Sequence, residues 1–272
     1  MTILLDFQAK WKLFAIKNIR LFFVQKSYLL ALMLNAAQFE PAYILHTKPY
    51  RDSSLLIDAF TTSQGRISLI AKAARGMRSK SSRFKGLLQA FIPLSISWRG
   101  KTELLNLLNA EPSGLFLPPL NGKHLICGLY LNELLMRLLY RYDPHPVLFQ
   151  AYQTALTTLP QNPNIVLRVF EKQLLAELGY ALHLNQDNHT QQPILADQHY
   201  QFIPSQGLFI CLNTSLSNKL FLFSGESLLA IYHEQWTTPD QLLDAKRLFR
   251  LALHHLLEGK SIRSRELLLN SA

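Results

Sequence analysis

The chain is poor in the residues that staple, ligate and catalyse. Two cysteines, Cys127 and Cys211, in 272 residues are too few for a disulfide-stapled secreted scaffold or a four-thiolate zinc site. Both fall in apolar surroundings, Cys127 in a helical pattern and Cys211 in a strand-like one, and read as buried thiols in a reducing compartment. No Walker loop, G-x-S-x-G or H-E-x-x-H string occurs, so an ATPase, an α/β-hydrolase and a zincin lack their signatures. Asp52 and Asp58 are lone carboxylates and suggest no catalytic pair. The nine histidines form no metal-ligand set: His183, His189 and His199 are scattered around a polar stretch, and the adjacent His254 and His255 point in different directions from a helix. Charged residues make up only 17% of the chain against 49% hydrophobic, which excludes a disordered tail and supplies a real core.

Acidic residues are also scarce, 18 against 28 Lys plus Arg, for a net charge of +10. The excess is uneven. Residues 1–39 carry five basic residues and Asp6, residues 40–111 carry 11 basic and five acidic, and residues 112–272 carry 12 of each. A basic N-terminal half joined to a neutral C-terminal half places contact with a polyanion in one domain.

The first 39 residues contain the apolar strings LFFV (21–24) and YLLALML (28–34), split by Gln25 and Lys26. The uncharged run from Ser27 to Phe39 is shorter than the roughly 18 residues of a spanning helix. A secretory signal would need a far shorter basic region. We read residues 1–39 as an extension, with Met33 as the expected native start.

From Pro41 the period is that of strands: AYILHTK, SLLIDAFTT, RISLIAK, FIPLSISW and ELLNLLNAE, with turn signals at 63–65 and 99–101. Ile67, Leu69 and Ala71 oppose Arg66, Ser68 and Lys72, and Ile92, Leu94, Ile96 and Trp98 oppose Ser95 and Ser97. Five short strands in about 70 residues fit an OB-fold barrel over residues 40–116, with an SH3-like barrel or an open sheet as alternatives. After Pro118 and Pro119 the period turns helical. Leu125, Leu129, Leu135 and Leu138 mark one helix, and others fall near 145–159, 163–178, 224–234, 240–258 and 264–270. Asn162, Pro163 and Gly179 punctuate the third. A hairpin around 205–207 interrupts them, in a subdomain at about 183–223. The fold class is α+β: a barrel followed by a helical domain over 117–272.

The segment 66–101 holds Arg66, Lys72, Arg75, Arg78, Lys80, Arg83, Lys85, Arg99 and Lys101 and no acidic residue. Nine like charges without a local partner repel one another, which points to phosphate neutralisation. Within it ARGMRSKSSRFKG (74–86) is rich in Gly and Ser and able to follow a variable backbone. Phe84 is a candidate for base stacking, whereas Phe91 reads as core.

The strings ILHTKPYRDSSLLIDAFTTSQGRISLIAKAARG (44–76), FKGLLQAFIPLSISWRGKTEL (84–104), CGLYLNELLMRLL (127–139), LRVFEKQLLAELGY (167–180) and GKSIRSRELL (259–268) resemble the RecO family of bacterial DNA repair and recombination mediators, in order over essentially everything after residue 40. The resemblance implies an OB-fold, a helical C-terminal domain, no bond-making activity and no cofactor. It implies binding of single- and double-stranded DNA, annealing of complementary strands, and work in the cytoplasm, at the nucleoid and with no membrane, beside the RecR partner to load RecA onto DNA coated by single-stranded DNA-binding protein. It also implies that Arg168, in the LRxFE string, holds the acidic C-terminal tail of that protein beside an apolar stripe of Leu167, Phe170, Leu174 and Leu178. The alternative for Arg168 is an exposed pair with Glu171. Many relatives carry four cysteines in the region matching 183–215, where this chain has only Cys211, so a metal-free module is expected. The alternative from another class is a basic OB-fold RNA binder of the translation apparatus.

Overall fold

The structure is a computed structural model and describes residues 39–74, 84, 86–213 and 218–270. Residues 1–38 and five of the expected phosphate-binding cations, Arg75, Arg78, Lys80, Arg83 and Lys85, lie outside the described residues.

Five strands, β1 (Glu40–Tyr50), β2 (Ser54–Thr61), β3 (Gly65–Ala71), β4 (Pro93–Arg99) and β5 (Leu104–Pro112), close into a barrel of order β1-β2-β3-β5-β4. All neighbours are antiparallel except β3 and β5. This is the five-stranded OB arrangement. Alternation sends Ile44, Ile57, Ile67, Leu69, Leu94 and Ile96 into a dry interior, each side chain worth roughly 1.5–3 kcal/mol when fully removed from water. Phe84 belongs to this same core, which removes it as a stacking platform. The alternation expected for β4 holds only as far as Ile96. Ser97 is buried and Trp98 half-exposed where the register between β4 and β5 shifts, the extra residue being Leu108 of β5.

Helices α1 (Gly122–Leu138), α2 (Pro146–Thr158), α3 (Pro163–Glu177), α4 (Gly225–His233), α5 (Pro239–Leu256) and α6 (Arg263–Asn270) build the second half. Their ends follow local chemistry. The Asn162 side chain accepts from the Ile165 amide, and Thr238 and Gln241 form a reciprocal capping box. The expected hairpin is the pair β6 (His199–Ile203) and β7 (Gly207–Ile210), but a third strand, β8 (Leu222–Ser224), joins its other edge. Cys211 lies just past β7 and is half-buried, not enclosed in a strand. Among the described residues no helix is long and apolar enough to cross a membrane.

The barrel and the helices share a core. Tyr43, Leu45 and Phe60 leave the barrel's outer face to join the helical cluster, with the Tyr43 ring 5.4 Å from Phe149 and 5.1 Å from Tyr152. Asn132 ties the joint: its side-chain amide donates to the Leu45 carbonyl at 2.9 Å and accepts from the Tyr152 hydroxyl at 2.5 Å. Gly65, at φ +63°, is pressed against the Asp143 carbonyl, where any Cβ would overlap.

Candidate nucleic-acid interface

Residues directly opposite one another in a sheet project to the same face, so strand register sorts the barrel's outer surface into rows. Tyr43, Phe60 and Arg66 form the first, which the helical domain covers. His46, Asp58, Ser68 and Leu104 form the second, two residues along. Lys48, Leu56, Ile70, Asn106 and Arg99 form the third, across all five strands. In the third row the two cations are exposed and the three central residues half-buried. The result is an apolar strip over strands β2 and β3, flanked by positive charge.

Loops extend this surface. The β1–β2 turn carries exposed Arg51, whose guanidinium lies 5.3 Å from the centre of the half-buried Tyr50 ring. Lys72 stands exposed where β3 leads toward residue 75, and Lys101 stands exposed in the β4–β5 turn beside Arg99. Of the nine cations expected to contact phosphate, Lys72, Arg99 and Lys101 are therefore solvent-facing and share one surface with Lys48 and Arg51. Those last two lie outside the acid-free window and were missed by charge counting. The basic, aromatic turn string KPYR between two strands was the available signal.

Arg66 is a correction. It shares a row with Tyr43 and Phe60, and only 14% of its side chain is exposed. Its guanidinium donates to the carbonyls of Met136 and Leu139 at the end of α1 and sits 3.5 Å from Asp58. A cation at a helix C-terminus meets the negative end of the macrodipole, so Arg66 joins the domains instead of facing solvent. Burial lowers its pKa and the nearby Arg141 adds to this, while Asp58 opposes both. Asp58 also takes Arg141 at 3.4 Å and the Ser68 hydroxyl at 3.3 Å, which neutralises the carboxylate nearest the third row.

Arg168 is the second correction. The stripe expected to form an open slot is core: Leu167, Phe170 and Leu174 are buried. The Arg168 side chain is 8% exposed and lies 3.0 Å from Glu171, which has no exposure at all. Arg168 thus does pair with Glu171, but inside the protein and not on a rim. The Glu171 oxygen also accepts from the Tyr130 hydroxyl at 2.5 Å, and that hydroxyl accepts from Arg265 at 2.8 Å. Burial pushes the Glu171 pKa up, against the pull of Arg168, Tyr130 and Arg265.

In the hairpin subdomain Asp187 occupies the centre. It is buried, and its carboxylate accepts from the amides of His189, Thr190 and Ile210 and from the Thr190 hydroxyl. Burial raises its pKa, but these four donors together lower it below the ordinary aspartate value. Among the described residues no group of three His, Cys, Asp or Glu side chains could hold a metal.

A basic five-stranded barrel fused to a neutral helical domain defines a class of nucleic-acid-binding architecture, and the comparisons narrow it. Residues 38–116 match the family model "Recombination protein O N terminal" and residues 120–266 match "Recombination protein O C terminal". The proteins named DNA repair protein RecO from Coxiella burnetii (strain RSA 331 / Henzerling II) and Nitrosospira multiformis are each 43% identical to the chain. The first match covers 238 residues, 87% of this chain and 100% of the relative, and the second 231 residues, 84% and 93%. The DNA repair protein RecO from Aliivibrio fischeri (strain MJ11) is 41% identical over 229 residues, again 84% and 93%. The chain belongs to the RecO family.

Proposed function

We propose that the chain is a DNA-binding recombination mediator in DNA repair. It binds single- and double-stranded DNA, anneals complementary strands without ATP, and acts with a RecR partner to load RecA onto DNA coated by single-stranded DNA-binding protein. Family membership supports the repair role. The observation that carries DNA binding is the third outer row, where Lys48 and Arg99 flank Leu56, Ile70 and Asn106. An OB-fold binds strands across β2 and β3 between its first and last turns, and phosphates on the flanking cations leave bases over the apolar centre. Lys72, Lys101 and Arg51 extend the same positive field, and Arg75, Arg78, Lys80, Arg83 and Lys85 are the further cations expected to contact phosphate. The helical domain takes the partner contacts, including the acidic tail of single-stranded DNA-binding protein. Arg168 is not on the accessible rim that a tail-binding cation needs. The protein works in the cytoplasm at the nucleoid.

Salt titration of oligonucleotide binding tests this reading. On single strands log affinity falls with log salt at roughly 0.7 per phosphate contact, and alanine at Lys48, Arg51, Lys72, Arg99 and Lys101 should lower affinity and slope together. An unchanged slope in the folded variant overturns the assignment. Tighter binding of structured RNA than of single-stranded DNA, in direct competition, would favour the translation-apparatus reading.

A further inference from the structure

A second surface faces solvent where three helices end. Leu138 of α1, Leu178 just past α3 and Leu256 of α5 line an open groove of about 710 Å³, together with Tyr140, Tyr180, Arg137 and Lys260. The two tyrosines are 79% and 55% exposed, more than the intermediate burial usual for tyrosine. We infer that this groove holds the bases of a single nucleic-acid strand, stacked on Tyr140 and Tyr180, as a second strand-binding site in the helical domain. The inference rests on the DNA-binding reading above and extends it beyond the barrel.

Electrostatics favours this occupant. Helix C-termini present partial negative charge, so the bottom of the groove disfavours a carboxylate or a phosphate and accepts a neutral planar ring. The cations lie where phosphates would run. Lys260 pairs with the groove residue Glu258 at 2.9 Å, and an exposed pair of this kind is weak enough for a phosphate to compete, whereas Arg137 pairs with the half-buried Glu133 at 2.7 Å. The segment that follows α1 also contacts the barrel. Leu139, which lines the groove, gives its carbonyl to Arg66. Arg141 reaches Asp58, and the Tyr142 hydroxyl donates to the Glu103 carbonyl at 2.5 Å, in the turn that carries Lys101. Basic and aromatic residues alternating along Arg137, Tyr140, Arg141 and Tyr142 are the composition of a sequence-tolerant strand platform. An annealing protein needs places for two strands, and the barrel row and this groove supply them.

The test compares single strands of two lengths, one of about 8 nucleotides, within the span of one barrel, and one roughly three times longer. Tyr140→Ala with Tyr180→Ala should weaken the longer strand at least about tenfold and leave the shorter one unchanged. Tyr140→Phe with Tyr180→Phe, which keeps both ring faces, should bind both as wild type does. In parallel, strands carrying a photoreactive halogenated base should crosslink to wild type at Tyr140 or Tyr180. Undiminished affinity of the alanine variant for the longer strand, or phenylalanine variants as weak as alanine ones, overturns the groove assignment while the barrel reading stands. Loss of an acidic peptide ligand with retention of the longer strand gives the groove to a protein partner and also overturns it. A wild-type chain that binds neither length overturns the DNA-binding reading and the groove with it.

Discussion

Lys48 and Arg99 on the barrel and Arg168 and Glu171 in the helical domain are ordinary charged residues in opposite situations. The first two stand in water on either side of a shallow apolar strip. The second two are withdrawn from water and paired through one Glu171 oxygen, with Tyr130 and Arg265 tied in, while the other Glu171 oxygen is buried without a hydrogen bond. A cation in water costs little and remains free for a phosphate. A cation inside a core carries a desolvation penalty, and its neighbours depend on it. The comparison teaches that sign and number of charges do not distinguish binding from architecture; solvent access does.

The largest way to break the comparison is to remove the buried cation. Arg168→Ala leaves Glu171 buried without its ion-pair partner and should cost about 3–5 kcal/mol of stability, read by denaturant unfolding. Replacing both residues by apolar ones of similar volume should recover most of that loss. DNA affinity of the folded variants should stay at the wild-type level. A stable Arg168→Ala variant that fails only in partner binding would return this residue to an exposed role.

Arg66 tests the boundary between the two situations. Arg66→Ala removes charge-assisted bonds to two α1 carbonyls and the contact with Asp58, and should cost roughly 2 kcal/mol. It should hardly change the salt slope of DNA binding, whereas Arg99→Ala should flatten that slope by roughly 0.7 on single strands and leave stability almost unaltered. Reversal of these two outcomes would mean that the row assignment is wrong.

Much of this was legible in the sequence. The Asn162, Pro163 and Gly179 punctuation acts within one helix, and the β3 run carries a period of two that survives in any register. What could not be read is which outer row the helical domain covers. Arg66 and Lys72 lie on the same face in the alternation of β3, yet one is clamped under α1 and the other is exposed, because pairing of β3 with β2 sets Arg66 opposite Phe60, in the row of Tyr43. Arg168 failed for a similar reason. A charged residue beside a leucine stripe resembles a rim until Glu171 and Tyr130 are seen buried against it. The β5 bulge at Leu108 and strand β8 are likewise settled by contacts between distant segments.

The hairpin subdomain sharpens the comparison with a carboxylate that is buried and still ionised. Four donors hold the Asp187 pKa below its ordinary value. A lowered pKa gives stability that is present above the unfolded aspartate value and lost as pH falls through the folded one. Asp187→Asn should therefore cost about 1–3 kcal/mol at neutral pH, and the difference between variant and wild type should shrink on acidification. Glu171 has the opposite sign. Its raised pKa means that its own contribution is fully present below the unfolded glutamate value and is lost as pH rises through the folded one.

The smallest expected effect is that of a chelator, and it follows from what Asp187 already does. The loop after His183 must be fixed against β7, and a structural zinc is one means of fixing such a loop, through four thiolate or imidazole ligands. Here the Asp187 carboxylate reaches the loop at His189 and Thr190 and the strand end at Ile210. Asn188 adds a second tie, its amide donating to the Leu208 carbonyl at 2.7 Å and its side-chain oxygen accepting from the Leu208 amide at 3.2 Å. With these bonds in place a metal has no remaining geometric task, so prolonged treatment with a strong chelator should leave the unfolding midpoint and DNA affinity where they were. Elemental analysis should find no stoichiometric zinc in the purified chain. About one zinc per chain, with a fall in the midpoint on its removal, would show that a metal and not Asp187 holds the subdomain together.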